Sequence, residues 1–326
     1  MPAGMRGRGW HLHGNFFGAN GSALNRTITT NTTYGGLSST EGNESYQDFT
    51  VNAGVTLTLA GTPFMVAGTL TLKAGCIIQQ NGDNASGSTG AGTNGSIKMW
   101  GGMGGGGGGE NAAGNAAEDG SSHAAFNIGG AGGIGGNTGS NAGGAAGAEY
   151  FGSNIEAGLK QNVIVNFPDM YNRFVRTNFP IDVGGGFKIP YTPGICGGSG
   201  GGGGASGNAG GFGGGGGAGG GLIWIVADTI ICEQNVIIRA KGGSGSNASG
   251  SGSAGGGGGG GGGGIILFYN DLIVPGSNRP QLQVDPGLGG TAMGVAAAGA
   301  NGDSGRVVLF NLGSATATQT HGNVTL

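Results

Sequence analysis

Apolar residues occur in this chain as short runs rather than as helical stripes. Leu222 to Val226 and Ile265 to Tyr269 are rich in β-branched and aromatic residues and lie between Gly, Asn and Asp. Short runs of this composition are typical of β-strands. Thr50 to Leu59 alternates as expected for a strand with one buried face. The pattern suggests a helix only around Glu156 to Asn162, so it predicts an all-β chain.

The strand-like segments also repeat along the chain. Four copies of one unit, each strand, turn, strand and a return to glycine, indicate stacked units that share a core. The copies align without gaps: Val66 to Thr71 with Val226 to Ile231 and, at the same offset, Cys76 to Ile78 with Val236 to Ile238; Gly221 to Asp228 with Gly264 to Asp271; and Gly264 to Asn270 with Gly305 to Asn311.

Glycine changes this picture, because 87 of the 326 residues are glycine. Ten consecutive glycines, Gly255 to Gly264, lead directly into the strand-like run at Ile265. Gly213 to Gly221, broken only by Ala218, leads in the same way into Leu222, and Gly104 to Gly109 forms a third run. Apolar residues reach 36% and charged residues only 9%, whereas disordered chains combine low hydrophobicity with high charge. The glycine runs are therefore predicted to be structural.

A physical form for these runs is the polyglycine II helix, which has three residues per turn and no internal hydrogen bonds. Its N–H and C=O groups point outward, so neighbouring helices can satisfy each other's backbone groups. One hydrogen bond contributes only about 1 kcal/mol net. We therefore expect the runs to pack together, held by strands at their ends.

Charge, cysteines and hydropathy exclude several classes of protein. A net charge of −3 gives no field for binding nucleic acid. Cys76, Cys196 and Cys232 lie far apart, so neither a zinc site nor a disulfide framework is expected. No secretory leader and no membrane-length apolar stretch is visible in the sequence, so membrane insertion is not expected.

Long glycine runs that alternate with strand-forming segments resemble the polyglycine-sandwich adhesins of bacteriophage tail-fibre tips. The resemblance covers roughly residues 100 to 310 as a pattern. Phe49 to Leu72 also resembles β-solenoid stretches of phage tail and fibre proteins. The implied organisation is an attachment segment over residues 1–30, solenoid-like strands over 31–98, and a packed polyglycine II lattice flanked by short strands over 99–326. No copy of the adhesins' fibre-docking segment is recognisable.

Residues 150–196 interrupt the glycine pattern with eight of the chain's aromatic residues and several cations. Aromatic residues with arginine are typical of binding hot spots. A small core or an oligomer contact would use the same residues, and both alternatives stay open. The receptor-binding candidates are Tyr150, Phe151, Phe167, Tyr171, Arg173, Phe174, Arg176, Phe179, Phe187 and Tyr191.

Other segments carry weaker candidates. Glu110 to Asn127, Pro275 to Gln283 and Thr291 to Asp303 are expected at the same tip as the insert. His11 and His13 share one face of a strand-like segment, but neither they nor the acidic residues near His123 form a convincing metal site. The candidates for docking onto the virion, with capping of the first strands as the alternative, are Arg6, Arg8, Trp10, Phe16 and Phe17.

The resemblance implies a non-enzymatic receptor-binding protein of the virion, with no cofactor and no metal. Its partners would be other tail-fibre proteins and a host-surface protein or glycan, and a homo-oligomer fits the same setting. The alternative is a structural virion protein, such as a fibre shaft or a capsid decoration, and an ice-binding protein is more distant. A depolymerase is disfavoured because such enzymes need paired carboxylates, and the 16 acidic residues are spread thinly.

Overall fold

The computed structural model describes residues 25–34, 45–59, 64–86, 133–138, 141–147, 180–182, 188–190, 197–206, 210–314 and 316–326. Within these ranges the protein has strands and no helix. The prediction of an all-β chain is confirmed for the described residues, and the sheets are mixed. The helix suggested around Glu156 to Asn162 and the glycine run at 104–109 lie outside the described residues.

Two large sheets organise the strands. The first contains β1 (Arg26–Ile28), β3 (Ser45–Tyr46), β4 (Phe49–Val51), β6 (Phe64–Leu72), β11 (Leu222–Cys232), β14 (Gly264–Tyr269), β15 (Asp271–Ile273), β17 (Arg306–Asn311) and β18 (Thr316–His321). The second contains β2 (Thr32–Tyr34), β5 (Thr56–Leu59), β7 (Ile77–Gln79), β12 (Ile237–Arg239), β16 (Gln281–Gln283) and β19 (Val324–Thr325). Two small pairs complete the described strands: β8 (Pro180–Asp182) with β9 (Lys188–Pro190), and β10 (Gly211–Phe212) with β13 (Ser249–Gly250).

Each turn of the chain adds one strand to each large sheet. The strand pairs β1/β2, β4/β5, β6/β7, β11/β12 and β15/β16 stack in parallel. The last strands pair antiparallel with their neighbours, β18 with β17 and β19 with β16. They close the C-terminal side of the stack. In the first sheet β6 pairs with β11, and in the second β7 pairs with β12. Both sheets therefore contain strands from before and after residues 80–221.

The hydrophobic core lies between the two sheets. Phe49, Leu70 and Ile230 are buried at matching positions of neighbouring strands in the first sheet. In the second sheet, Ile78 and Ile238 pair in register and are also buried. The alternation of buried and less buried positions along β5 and β6 is that of strands with one inward face.

An aromatic cluster fills the core near the first strands. The Phe49 and Phe64 rings lie 4.7 Å apart, centre to centre, and Tyr34 meets Phe64 at 5.2 Å, both edge to face. Arg26 donates to the Tyr46 hydroxyl at 2.7 Å and lies over that ring. This cluster anchors the N-terminal end of the stack.

The strand register confirms the first alignment of the repeats in part and corrects the other two. Leu70 pairs with Ile230 and Ile77 with Ile237, as the first alignment predicts, but Val66 pairs with Ala227 rather than Val226 because the register shifts between Ala227 and Thr229. However, Gly264 pairs with Leu222 rather than Gly221, and on its other side with Arg306 rather than Gly305. Both of these alignments were therefore wrong by one residue. The observed register places Ile223, Ile265 and Val307 together on the core face, and a one-residue slip would turn one of them outward.

Tight turns connect the paired strands of each repeat. Thr50 to Leu59 is two strands rather than the single one expected, because residues 52–55 turn the chain, with Gly54 at φ 68°. Gly75 and Asn235 occupy the matching positions of the next turns, at φ 67° and 57°. Glycine and asparagine adopt this left-handed conformation most readily. The first two turns also mark a closer repeat, β4/β5 against β6/β7, that the sequence alignments missed.

The glycine segments have neither strand nor helix geometry, and their backbone hydrogen bonds repeat every three residues. Within residues 255–263, here called the central run, Gly255, Gly258 and Gly261 donate to the carbonyl groups of Ala205, Gly202 and Ser199. The residues that follow these three, Gly256, Gly259 and Gly262, donate to the carbonyl groups of Ala297, Ala300 and Asp303. The residues after those donate to Ser246, Gly243 and Ala240. Successive N–H groups therefore point to three different neighbours.

Six segments surround the central run. It donates to 197–205, 240–246 and 297–303, and it accepts from 133–136, 214–220 and 287–290. Each of these segments also hydrogen-bonds to the next one around the ring, as Gly201 N–H does to Gly217 and Gly302 N–H does to Gly287. The ring is therefore closed around the central run.

Burial explains where glycine is continuous and where it is periodic. Every residue of the central run is buried, and a Cβ at Gly259 would overlap the carbonyl group of Gly287. In the outer segment 297–305, only Gly299, Gly302 and Gly305 face the central run, and other residues occupy the positions between them. The central run has glycine at every position, whereas segment 297–305 has it at every third.

Candidate functional site

The glycine region has two ends, one at the strands and one at a set of turns. The central run enters β14, and segment 240–248 leaves β12 in the opposite direction. The turn at 249–254 joins these two segments, so it lies at the end remote from the strands. The turn at 292–297 joins the next two segments in the same way. We call residues 249–254 and 292–297 the tip turns.

Hydrogen bonds fix the tip turns to each other. Ala254 forms isolated antiparallel bridges with both Ser206 and Met293. Phe212 and Gly211 of β10 pair with β13 inside the first tip turn. Asn141 donates its side-chain amide to the Ser206 carbonyl at 2.7 Å, which brings Asn141 and Thr138, hydrogen-bonded to each other, to the same end. These connections hold several turns in fixed relative positions.

The described residues at this end carry no formal charge. The tip turns consist of Gly, Ala, Ser, Met and Val, and Val295 has 91% of its surface exposed. Ser253 Oγ accepts from the Val295 N–H at 3.2 Å, which fixes the backbone beneath that side chain. The arrangement suits non-covalent contact with a neutral surface, and among these residues no acid–base pair is present.

The structure describes only two short parts of the aromatic insert, the hairpin of β8 and β9. Its ten receptor-binding candidates lie outside the described residues, and their role stays a prediction. The flanking residues are informative. Gly147 donates to Gly200, and Gly198 donates to Gly220, shortly before β11 begins. The insert therefore enters and leaves at the strand end of the glycine region, away from the tip turns.

Pro275 to Gln283 lies at the strand end, away from the tip turns. The segment joins β15 to β16, and the Asn278 carbonyl accepts from the N–H of Asn235 in a strand-to-strand turn. The expectation that it shares a tip with the insert stays a prediction, because most of the insert lies outside the described residues. Thr291 to Asp303, in contrast, does contain the tip turn at 292–297.

The remaining candidates are outside the described ranges. This applies to the virion-docking candidates Arg6, Arg8, Trp10, Phe16 and Phe17, to His11 and His13, and to Glu110 to Asn127. Within the ranges that are described, no group of three His, Cys, Asp or Glu side chains could hold a metal. In the same part of the chain, no helix has the length and apolar character needed to cross a membrane.

Asparagine side chains reinforce an outer segment of the glycine region. Asn81 Oδ1 accepts from the Lys241 N–H at 2.9 Å, while Gly82 N–H donates to the Lys241 carbonyl. Further along the segment, Asn84 Oδ1 and Ala85 N–H hold Ser244 in the same way. Each Asn side chain accepts one backbone N–H of segment 240–246. The spacing of Asn81 and Asn84 is a sequence signal for this contact that the predictions did not use.

Two buried thiols lie in the core rather than in a reactive site. Burial raises the pKa of Cys76 and of Cys232 to about 12, so both remain protonated at neutral pH. Both cysteines are free. A thiol rather than a thiolate is a poor nucleophile and metal ligand, so these residues act as small core side chains.

Comparisons with known proteins add no relative: no protein-family model matches the chain, and neither the curated proteins nor the solved structures contain a significant match.

Proposed function

We propose that the glycine segments are polyglycine II helices packed as a hexagonal lattice, and that this lattice is a rigid platform. The three-residue repeat of the backbone hydrogen bonds around residues 255–263 supports the proposal, because polyglycine II has three residues per turn. Six neighbouring segments around one run is the number that hexagonal packing requires. We further propose that the two stacked sheets form an open β-solenoid that holds the ends of the helices.

On this platform, the protein acts as a receptor-binding adhesin of a bacteriophage tail-fibre tip. The carrying observation is the fixed set of uncharged tip turns, bridged through Ser206, Ala254 and Met293, at the end remote from the strands. A preordered binding surface avoids the entropy cost of ordering loops at the moment of contact. Recognition at the tip turns would rest on shape and apolar contact, with the aromatic insert as a second candidate surface.

The proposed function places the protein in the virion, with other tail-fibre proteins and a host-surface protein or glycan as partners. It involves no cofactor and no chemical step. The alternative is a structural virion protein that holds the same platform without touching a host.

Binding of the fluorescently labelled, purified protein to a panel of bacterial strains tests the function. We expect saturable binding to at least one strain, competed by unlabelled protein and by an extract of that strain's surface. The variant Val295→Arg should reduce binding, whereas Ser86→Arg, the same new side chain on an exposed residue of another outer segment, should not. The structural alternative would be favoured by a different pair of results. The protein would be present in an intact phage particle, and the purified protein would bind none of the strains that this phage infects.

A further inference from the structure

One side of the glycine lattice is a row of three neighbouring outer segments. Residues 133–137 lie in the middle, because Gly135 N–H donates to Gly144 and the Ile134 carbonyl accepts from Ala300, both at 2.9 Å. Segments 141–147 and 297–303 therefore flank 133–137 on its two sides. We call the outward surface of these three segments the alanine face. Segment 80–86 lies on the opposite side of the central run.

Several exposed apolar side chains lie on this face. Ile134 has 58% of its surface exposed, and Ala142, Ala145, Ala297, Ala298 and Ala300 are exposed around it. Single exposed apolar residues are ordinary, but a contiguous patch on a flat surface marks an interaction site.

A shallow groove of about 270 Å³ crosses the same face. Glycines line it, including Gly135, Gly136 and Gly143, together with alanines. Ile134 also lines it. The face therefore has both a projecting apolar side chain and a recess lined by small apolar residues.

Charge distinguishes this face from the opposite one. Within the described parts of segments 133–147 and 297–302 there is no charged residue, and Asp303 lies at the margin next to the strands. The opposite side carries Asp83 and the ion pair of Lys241 with Asp285, at 2.9 Å. Depletion of charge is a property of the buried centre of protein interfaces.

We infer that the alanine face binds the alanine face of a second copy of this chain. In a two-fold symmetric contact both copies use the same surface, so each pairwise contact occurs twice. Ile134 of each copy would enter the groove of the other. The two facing surfaces have the same three-residue repeat because they are the same surface of two identical chains. Neither surface is charged, so the contact brings no like charges together despite the net charge of −3. This inference does not depend on the proposed adhesin function.

Sedimentation velocity over a concentration series of the purified full chain tests the inference. We expect a concentration-dependent dimer. Ile134→Asp should weaken association by about tenfold or more, since the contact would bury an unpaired charge. Ser86→Asp adds the same charge to an exposed residue on the opposite side and should leave association unchanged. If Ile134→Asp does not fold, Ala298→Asp replaces it, and the melting temperature of each variant is the folding control.

Three results would overturn the inference. The first is a wild-type chain that stays monomeric at every concentration. The second is a dimer weakened equally by Ser86→Asp and Ile134→Asp. The third is a monomer whose binding to cells is lost in Ile134→Asp, which would assign the face to a host surface instead.

Discussion

The strand region and the glycine region both exclude water, but they use different parts of the chain. Between the sheets, side chains such as Phe49, Leu70 and Ile230 fill the interior. In the glycine region the interior is backbone, and the central run meets six neighbours through N–H and C=O groups. Side-chain packing tolerates substitution when volume is preserved, whereas a Cβ added within the central run, as at Gly259, would overlap neighbouring backbone.

The two regions also depend on each other. Ordering a residue costs about 1–2 kcal/mol, and glycine is at the upper end, while a net hydrogen bond returns only about 1 kcal/mol. The glycine region is therefore not expected to order by itself. The stacked strands supply hydrophobic burial and fix the starting register of each glycine segment, as where Gly221 leads into β11.

Deleting one residue from the central run should have the largest effect. Loss of Gly259 would turn the remaining N–H groups toward the wrong neighbours, because the hydrogen bonds repeat every three residues. We expect no cooperative thermal transition by circular dichroism.

The matched control deletes Ser277 from the exposed loop between β15 and β16, which should leave the transition in place. Equal tolerance of the two deletions would indicate that the central run is a flexible tether.

A truncation in the aromatic cluster should have the next largest effect. Phe64 is fully buried and touches Phe49 and Tyr34. Phe64→Ala should lower the free energy of unfolding by about 3–5 kcal/mol through lost burial and a cavity. Phe64→Leu, measured in the same denaturant titration, should lose less, because a core accepts an approximate replacement of volume. A loss as large for Leu as for Ala would argue against this description of the strand region.

Removing an asparagine contact at the edge of the lattice should cost about 1 kcal/mol. Asn84→Ala removes the side-chain acceptor from the Ser244 N–H, while the backbone contact of Ala85 remains. Asn84→Asp keeps an acceptor and should retain most of the stability. If both variants unfold at the wild-type denaturant concentration, the side chain does not help to hold the outer segment.

The ion pair of Lys73 and Glu233 should give a small pH dependence of stability. Lys73 Nζ donates to Glu233 Oε1 at 2.7 Å, and this hydrogen bond lowers the pKa of Glu233. The contribution is present above the pKa of the unfolded state, about 4.3, and is lost as pH falls through the lower folded value. Both side chains are partly exposed, so we expect less than about 1 kcal/mol. Glu233→Gln should flatten this part of the stability profile, and an unchanged profile would contradict the assignment.

The sequence predicted the strands better than their register. Runs such as Leu222 to Val226 are identifiable by composition, and the alignment that pairs Leu70 with Ile230 was correct because the two strands keep similar side chains. The alignments through Gly264 were wrong because matching glycine with glycine ignores which residues face the core. The positions of Ile223 and Ile265 would have corrected them.

The arrangement around the central run could not be predicted, because consecutive glycines do not reveal which neighbour each one faces. The outer segments are more informative, since Gly299, Gly302 and Gly305 mark the inward positions. Of the candidate site, Thr291 to Asp303 was identified as an excursion from the glycine pattern. The turn at 249–254 was missed, although it separates two glycine-rich segments and so had to reverse the chain.

Substitution of Gly259 by alanine tests the central claim most directly. A single methyl group there would overlap the backbone of Gly287, whereas the same change at Gly313 meets Asn311 Oδ1 no closer than 3.4 Å. Thermal unfolding of the two variants compares one added carbon in two places. The account predicts that Gly259→Ala is severely destabilised or fails to fold, while Gly313→Ala melts within a few degrees of the wild type. Indistinguishable melting temperatures for Gly259→Ala and the wild type would contradict an interior of packed glycine backbone.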